Sequence, residues 1–197
     1  ITWNTDPSWD NRDTEGIVND AKFIEGAKVL SQMGLSLDIM QSFPQLAEIA
    51  EFAKAVPDLP IIVNHVGGVS RVGIYAGKDD EIIPVWKEGI TAAAACHNVT
   101  MKLGGLGMPR FGFGWHAREV PIGSEELAES MAPWMRHCIE QFGPDRCMFE
   151  SNFPPDKVSF SYNVMYNAFK RLSKEYSAAE RAALFHDTAV RVYRVEP

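Results

Sequence analysis

Four short apolar runs recur along the chain: LSLDIM (35–40), IIVNHVGG (61–68), VTMKLGG (99–105) and RCMFESNF (146–153). Each is too short for a buried helix, and three are rich in β-branched or aromatic residues, so they read as strands. The stretches between them have a different period. FPQLAEIAEFAKAV (43–56) puts Leu46, Ile49, Ala50, Ala53 and Val56 on one helical face, and residues 80–95 do the same with Ile83, Trp86, Ile90 and Ala93 or Ala94. Asp20 is placed to cap a helix running to about Met33 with Gly34 behind it, Ser124 opens one that ends at Gly143, and further helices are expected at about 161–174 and from 177, where Ser177 and Glu180 make a capping box. Residues 1–19, polar and without a period, read as an ordered loop. Strands apolar on both faces and alternating with amphipathic helices pair in parallel through crossovers, which makes the chain α/β. No linker divides it, so residues 1–197 are expected to form a single domain.

Charge and motif content narrow the function classes. A net charge of −7 argues against a nucleic-acid partner, whose phosphates demand a basic face. No apolar run approaches the roughly 20 residues of a membrane span. Neither G-x-G-x-x-G nor a P-loop occurs, which weakens a nucleotide-binding reading. Cys96, Cys138 and Cys147 have no metal-ligand spacing and read as buried thiols of a reducing compartment, the cytoplasm. The sequence starts at Ile1 rather than Met and shows no signal peptide there, as a piece of a longer chain would.

Parallel βα units build either an open sheet or a closed barrel. The polar residues favour the barrel because they gather at strand C-terminal ends, where barrel enzymes keep their active groups: Asp38 and Gln41, His65, Lys102, then Glu150 and Asn152. The segments NHVGG, VTMKLGGLGMP, GPDRCMFESNFP and LFHDTAVRVYRV, in that order, resemble the second half of the amidohydrolase-related barrels, over about residues 30 to 195. That group includes sugar-acid lactonases, a pyrone dicarboxylate lactonase and some decarboxylases. The resemblance implies a (β/α)8 TIM-barrel type with only about the last four βα units in this chain, since a whole barrel needs roughly 250 residues. The family's first strand carries a His-x-His pair, which none of the five histidines here forms. A missing N-terminal half, or a second copy in a homo-oligomer, would complete such a barrel.

The same resemblance assigns roles. The family's histidine at the position of His65 binds metal or the substrate's reacting carbonyl; the plainer reading is a core histidine bonded to backbone. One histidine cannot hold zinc, which takes three protein ligands at a catalytic site. The cofactor expectation is therefore a divalent metal, zinc or manganese, held through His65, or none. Asn152 stands where the family has a catalytic aspartate, and Glu150 where it has glycine. An amide cannot take a proton from water near neutral pH, but it can orient substrate or water. Strand alternation would put Glu150 and Asn152 on one face, with Glu150 either a general base or, as favoured here, the partner of Lys102. Arg110 in the loop after the third strand fits a substrate carboxylate, and His116 joins it as a substrate-binding candidate; Phe111, Phe113 and Trp115 either roof a ring-shaped substrate or pin the loop. Asp38 and Gln41 are candidates for binding substrate hydroxyls, against the plainer reading that they belong to the cap of the following helix. His97, His137 and His186 read as surface or packing residues. The expected activity is hydrolysis: water opens a lactone or ester of a small, acidic molecule. The alternatives are decarboxylation on the same metal-dependent scaffold and a catalytically inactive half-barrel.

Overall fold

The computed structural model describes residues 15–195; most of the loop expected over 1–19 lies outside them, and its end is a 3₁₀ turn at Ile17–Asn19. Helix α1 spans Ala21–Gln32 and begins where Asp20 accepts hydrogen bonds from the Lys22 and Phe23 amides. Gly34 follows it with φ 68, a left-handed turn that glycine enters without steric cost. Then come β1 (Leu37–Ile39), α2 (Leu46–Ala55), β2 (Ile61–Val63), α3 (Asp79–Ala94), β3 (Val99–Leu103), α4 (Ser124–Phe142), β4 (Cys147–Phe149) and α5 (Tyr162–Leu172). The chain ends in α6 (Ala178–Ala182), a π-helical turn (Ala183–Asp187) and α7 (Thr188–Tyr193). The Ser177–Glu180 capping box forms as expected, with bonds of 2.7 and 3.3 Å.

The strands lie in the order β1-β2-β3-β4, all parallel, with Val63 opposite Ile39 and Met101, and Met148 opposite Lys102. This is the α/β architecture expected, four successive βα units of a TIM-barrel type. Alternation gives the sheet two unlike faces. Ile39, Ile61, Val63, Val99, Met101, Leu103 and Cys147 face the helices and are buried in the main core with Leu46, Phe52, Trp86, Ile90, Met135 and Phe169. Asp38, Ile62, Thr100, Lys102 and Met148 point the other way, where α7 lies against Ile62 and Met148 through Val192, Ala189 and Tyr193.

Two polar side chains tie the strand N-terminal ends to the helices. Asn98 Nδ2 donates to the carbonyls of Ala53, Val56 and Leu59, and the Arg146 guanidinium to those of Phe142, Cys96, Val99 and Ala94. Four of these carbonyls, those of Ala53, Val56, Phe142 and Ala94, are at helix C-termini, which leave them without intrahelical partners. The three cysteines are free thiols and buried. Among the described residues no helix is long and apolar enough to cross a membrane.

Candidate functional site

The strands are shorter than their apolar runs, and this decides where the polar residues go. β2 stops at Val63, and His65, Val66, Gly67 and Gly68 all take positive φ (55, 46, 78 and 68). Such a run is costly for a β-branched residue like Val66 and persists only where the surroundings over-determine it. Here Trp86 Nε1 donates to the Val66 carbonyl at 2.7 Å. At Gly68 a Cβ would lie 1.8 Å from the Gln41 carbonyl oxygen, so glycine is required. The turn swings the buried His65 over the C-terminal end of β3.

Glu150 reaches the same place from β4. Its carboxylate Oε1 lies 2.6 Å from His65 Nδ1 and accepts the His65 backbone N–H at 3.1 Å. β2 and β4 flank β3, so their axes are about 10 Å apart. The side chains meet because Gly104 and Gly105 leave the end of β3 bare. A Cβ on Gly104 would fall 2.5 Å from Glu150 Cγ, and one on Gly105 2.3 Å from His65 Nδ1. A carboxylate only accepts, so His65 donates from Nδ1, and the lone pair of the neutral ring lies on Nε2.

Asn152 holds a left-handed φ of 47 just beyond, and its Nδ2 donates to Asp156 Oδ1 at 2.7 Å. Asp156, in the 3₁₀ turn Pro155–Val158, is 1% exposed; its Oδ2 accepts the Gly107 N–H at 3.2 Å. Burial pushes its carboxyl up to about 6, against the pull of the Asn152 and Gly107 bonds and of nearby His65, with Glu150 adding a push. The segment Gly104–Gly107 thus touches Glu150, His65 and Asp156 in turn, and joins the two pairs into one mouth at the C-terminal end of the sheet.

The expected Glu150–Lys102 contact does not form. Glu150 lies past the last strand residue, so the alternation assumed for residues 150–152 does not reach them. Lys102 remains within β3, on the second sheet face, and its Nζ meets Asp38 Oδ1 at 2.5 Å; Tyr193 Oη donates to both Asp38 oxygens at 2.8 and 3.0 Å. Burial pulls Lys102 down, but the bonds with Asp38 and Tyr193 outweigh it, and the ammonium ends above its ordinary value. Burial chiefly, with Asp38 helping and Lys102 opposing, pushes Tyr193 up to about 12. Lys102 and Asp38 thus pair with each other on this face of the sheet.

The loop after β3 is pinned from inside. Phe111 and Trp115 are buried, Phe113 stacks on Trp115 at 4.4 Å, and Arg71, held bidentately by Asp79 at 2.8 and 2.5 Å, covers Phe113 at 4.9 Å. Of the two readings of these aromatics, packing is the one the geometry carries. Arg110 meets the Phe111 ring at 5.3 Å, and that ring lies 6.4 Å from His65; burial lowers the guanidinium to about 10. His116 is exposed on the following turn. Gln41 is 1% exposed, and its amide N and O have no hydrogen-bond partner among the described residues. His97 and His186 are exposed, and His137 packs its ring 5.1 Å from Trp86. Asp156 escaped the sequence reading, although the spacing N-x-P-P-D marks a tight turn that returns residue 156 to residue 152.

Zinc at a catalytic site takes three protein ligands. Among the described residues no group of three His, Cys, Asp or Glu side chains could hold a metal, so by themselves they do not fit one.

Known proteins share this arrangement of elements. An amidohydrolase from Burkholderia multivorans solved with bound zinc superposes with a TM-score of 0.80 at 25% identity, over 95% of this chain and 62% of that one. Among curated sequences, the uncharacterized protein y4mH of Sinorhizobium fredii is 37% identical over 87% of this chain and 51% of its own length. The L-fucono-1,5-lactonase of Burkholderia multivorans is 26% identical over 93% and 60%. The chain thus spans about half to three-fifths of the length of these relatives. The sequence pattern of the amidohydrolase family matches residues 2–195, nearly end to end, and the chain belongs to that family.

Proposed function

We propose that this chain forms one wall of a hydrolase that opens the lactone of a small acid by adding water. The observation that carries the reading is the 2.6 Å contact of Glu150 with His65 Nδ1, which leaves Nε2 as a proton acceptor at the strand ends. Family membership and two lactonase relatives, the second an L-rhamnono-gamma-lactonase from Scheffersomyces stipitis at 24% identity, support it. A water molecule gives a proton to Nε2 as its oxygen bonds to the lactone carbonyl carbon. Glu150 stabilises the imidazolium so formed. The tetrahedral carbon then releases the ring oxygen, which takes the proton back from Nε2, and the product is the open hydroxy acid. Asn152, half-buried beside the pair, orients substrate or water. A proton acceptor aimed by a carboxylate is what attack by water needs, whereas decarboxylation calls for a sink for the electrons left on carbon.

The substrate is a small molecule, and the other walls of the site would come from the remaining βα units of a barrel. A divalent metal such as the zinc of the Burkholderia structure would need ligands beyond those described. The test is proton release from a panel of γ- and δ-lactones of sugar acids. His65→Asn is expected to slow turnover by about 10³-fold. A panel without turnover, or an H65N variant as fast as the parent, would overturn the reading.

A further inference from the structure

Asn152 is the half-buried amide at the mouth, and its orientation is set from behind. Asp156 is buried to 1% exposure, and each of its carboxylate oxygens already receives an N–H: Oδ1 from Asn152 Nδ2 at 2.7 Å, Oδ2 from the Gly107 amide at 3.2 Å. The Asp156 backbone N–H in turn donates to the Asn152 carbonyl at 3.0 Å, so side chain and backbone hold each other in a closed turn. Gly107 is anchored on its other side by Ser159 Oγ, which donates to its carbonyl at 2.5 Å. A Cβ at Gly107 would fall 2.8 Å from Asp156 Cγ, so glycine is what lets the carboxylate approach this segment closely enough to take its N–H.

An amide has one donor pole and one acceptor pole, and in general either can face a ligand. A carboxylate offers only acceptors, so an amide bonded to one must turn its nitrogen toward it. Asn152 cannot flip without setting its carbonyl oxygen against a buried carboxylate, two acceptors with no proton between them. We propose that Asp156 is a positioning residue that locks Asn152 as a hydrogen-bond acceptor, so that this side of the mouth selects a substrate hydroxyl and disfavours a carbonyl or carboxylate at the same place. The inference rests on the mouth being a lactone site and deepens that reading: it assigns the polarity of one substrate contact. It also departs from the acidic substrate expected from the sequence, because an acceptor at Asn152 repels a carboxylate there.

Lactams keep the ring and carbonyl of a lactone but resist hydrolysis, so binding can be read without turnover. The probes are a hydroxylated sugar lactam and the set from which one ring hydroxyl at a time is removed, titrated calorimetrically into the protein. For the parent protein, loss of one particular hydroxyl is expected to weaken binding about tenfold, the worth of one well-made hydrogen bond. In Asp156→Asn the new side chain can pair with either pole of residue 152, and that penalty is expected to shrink to about twofold or less. Asn152→Ala removes the acceptor itself and gives the same collapse of selectivity, which covers the case in which D156N does not fold. Equal binding of all the lactams by the parent, no binding by any, or a tenfold penalty that survives in folded D156N or in N152A would overturn the proposal. Hydroxyl selectivity in a protein that opens no lactone would sink the hydrolase reading and leave the assignment of Asn152 standing. Turnover without selectivity would do the reverse.

Discussion

Two polar clusters sit on one four-stranded sheet, and they are built to opposite ends. On the sheet face, Asp38, Lys102 and Tyr193 satisfy one another: an ammonium, a carboxylate and a phenol within 3.0 Å, with the Tyr193 ring under the Lys102 charge at 5.4 Å. At the strand ends, His65 and Glu150 use one nitrogen and leave the other open, and a second carboxylate, Asp156, is buried a few residues behind. The first arrangement is closed; in the second only one His65 nitrogen has a partner among the described residues, and the buried Asp156 carboxyl is held by two N–H donors rather than by a cation. Strand length produces the difference. Lys102 lies within β3, where the pleat fixes its direction, while His65, Glu150 and Asn152 lie past their strands, His65 and Asn152 at positive φ. Charged residues close in sequence pattern can thus belong to different faces, and the last hydrogen-bonded residue decides which.

The sharpest way to separate the clusters is pH. The Asp156 carboxyl rises from 3.8 to about 6 on folding, mainly through burial. A raised carboxyl pKa means the fold favours the protonated acid. Its contribution to stability is therefore full below about pH 4 and is lost as the pH climbs through about 6. Urea unfolding at about pH 4 and about pH 7 should show the stability of the parent falling relative to Asp156→Asn by about 2–3 kcal/mol across that interval. The comparison of two pH values removes the constant cost of the altered hydrogen bonds in the variant. A difference independent of pH would mean that the mouth carries no uncompensated charge and resembles the sheet-face cluster after all.

The part of this arrangement that was legible in the sequence is the part governed by local rules. The Asp20 cap, the Ser177–Glu180 box and the stripe Leu46, Ile49, Ala50, Ala53 are set by neighbours within one helical turn, and they stand where periodicity puts them. The parallel sheet followed from the alternation of strand and helix. The strand ends did not, because apolar and aromatic composition runs on past the last ladder bond: RCMFESNF reads as strand through Phe153, yet β4 closes at Phe149. That four-residue excess is why alternation pointed Glu150 at Lys102, while the structure turns it to His65. Gly104 and Gly105 held the missing signal, since two glycines at the end of a strand mark a close approach by something from a neighbour. The Lys102–Asp38 pair spans 64 residues and crosses β2, a contact that no local pattern encodes.

Glu150→Gln tests whether the mouth pair works or merely holds. The amide keeps the size of Glu150 but no longer stabilises a positive imidazole, and it accepts from Nδ1 only in one of its two orientations. Turnover of a lactone substrate is expected to fall about 10- to 100-fold, roughly 1.4–2.7 kcal/mol in the barrier, with a smaller change in KM. A variant that unfolds more easily but turns over at the parental rate would make His65–Glu150 a structural pair of the same kind as Lys102–Asp38.

The smallest effect is expected at Tyr193, and it bears on the comparison from the other side. Tyr193→Phe deletes the phenol that donates to Asp38 at 2.8 and 3.0 Å, while the ring stays packed beside Ile62 and Met148 on the sheet face. Asp38 keeps its bond to Lys102, so no buried group loses its last partner, and the cost should be that of one partly exposed hydrogen bond to a charged group, about 1 kcal/mol. The midpoint of urea unfolding should shift with its slope unchanged, because the surface exposed on unfolding is nearly the same. Turnover should match the parent, since Tyr193 comes from the last helix to the sheet face and Lys102, its neighbour, is committed to Asp38. A loss of turnover would show the sheet-face triad to be electrically coupled to His65 through the sheet, and the division into a closed cluster and an open one would have to be given up.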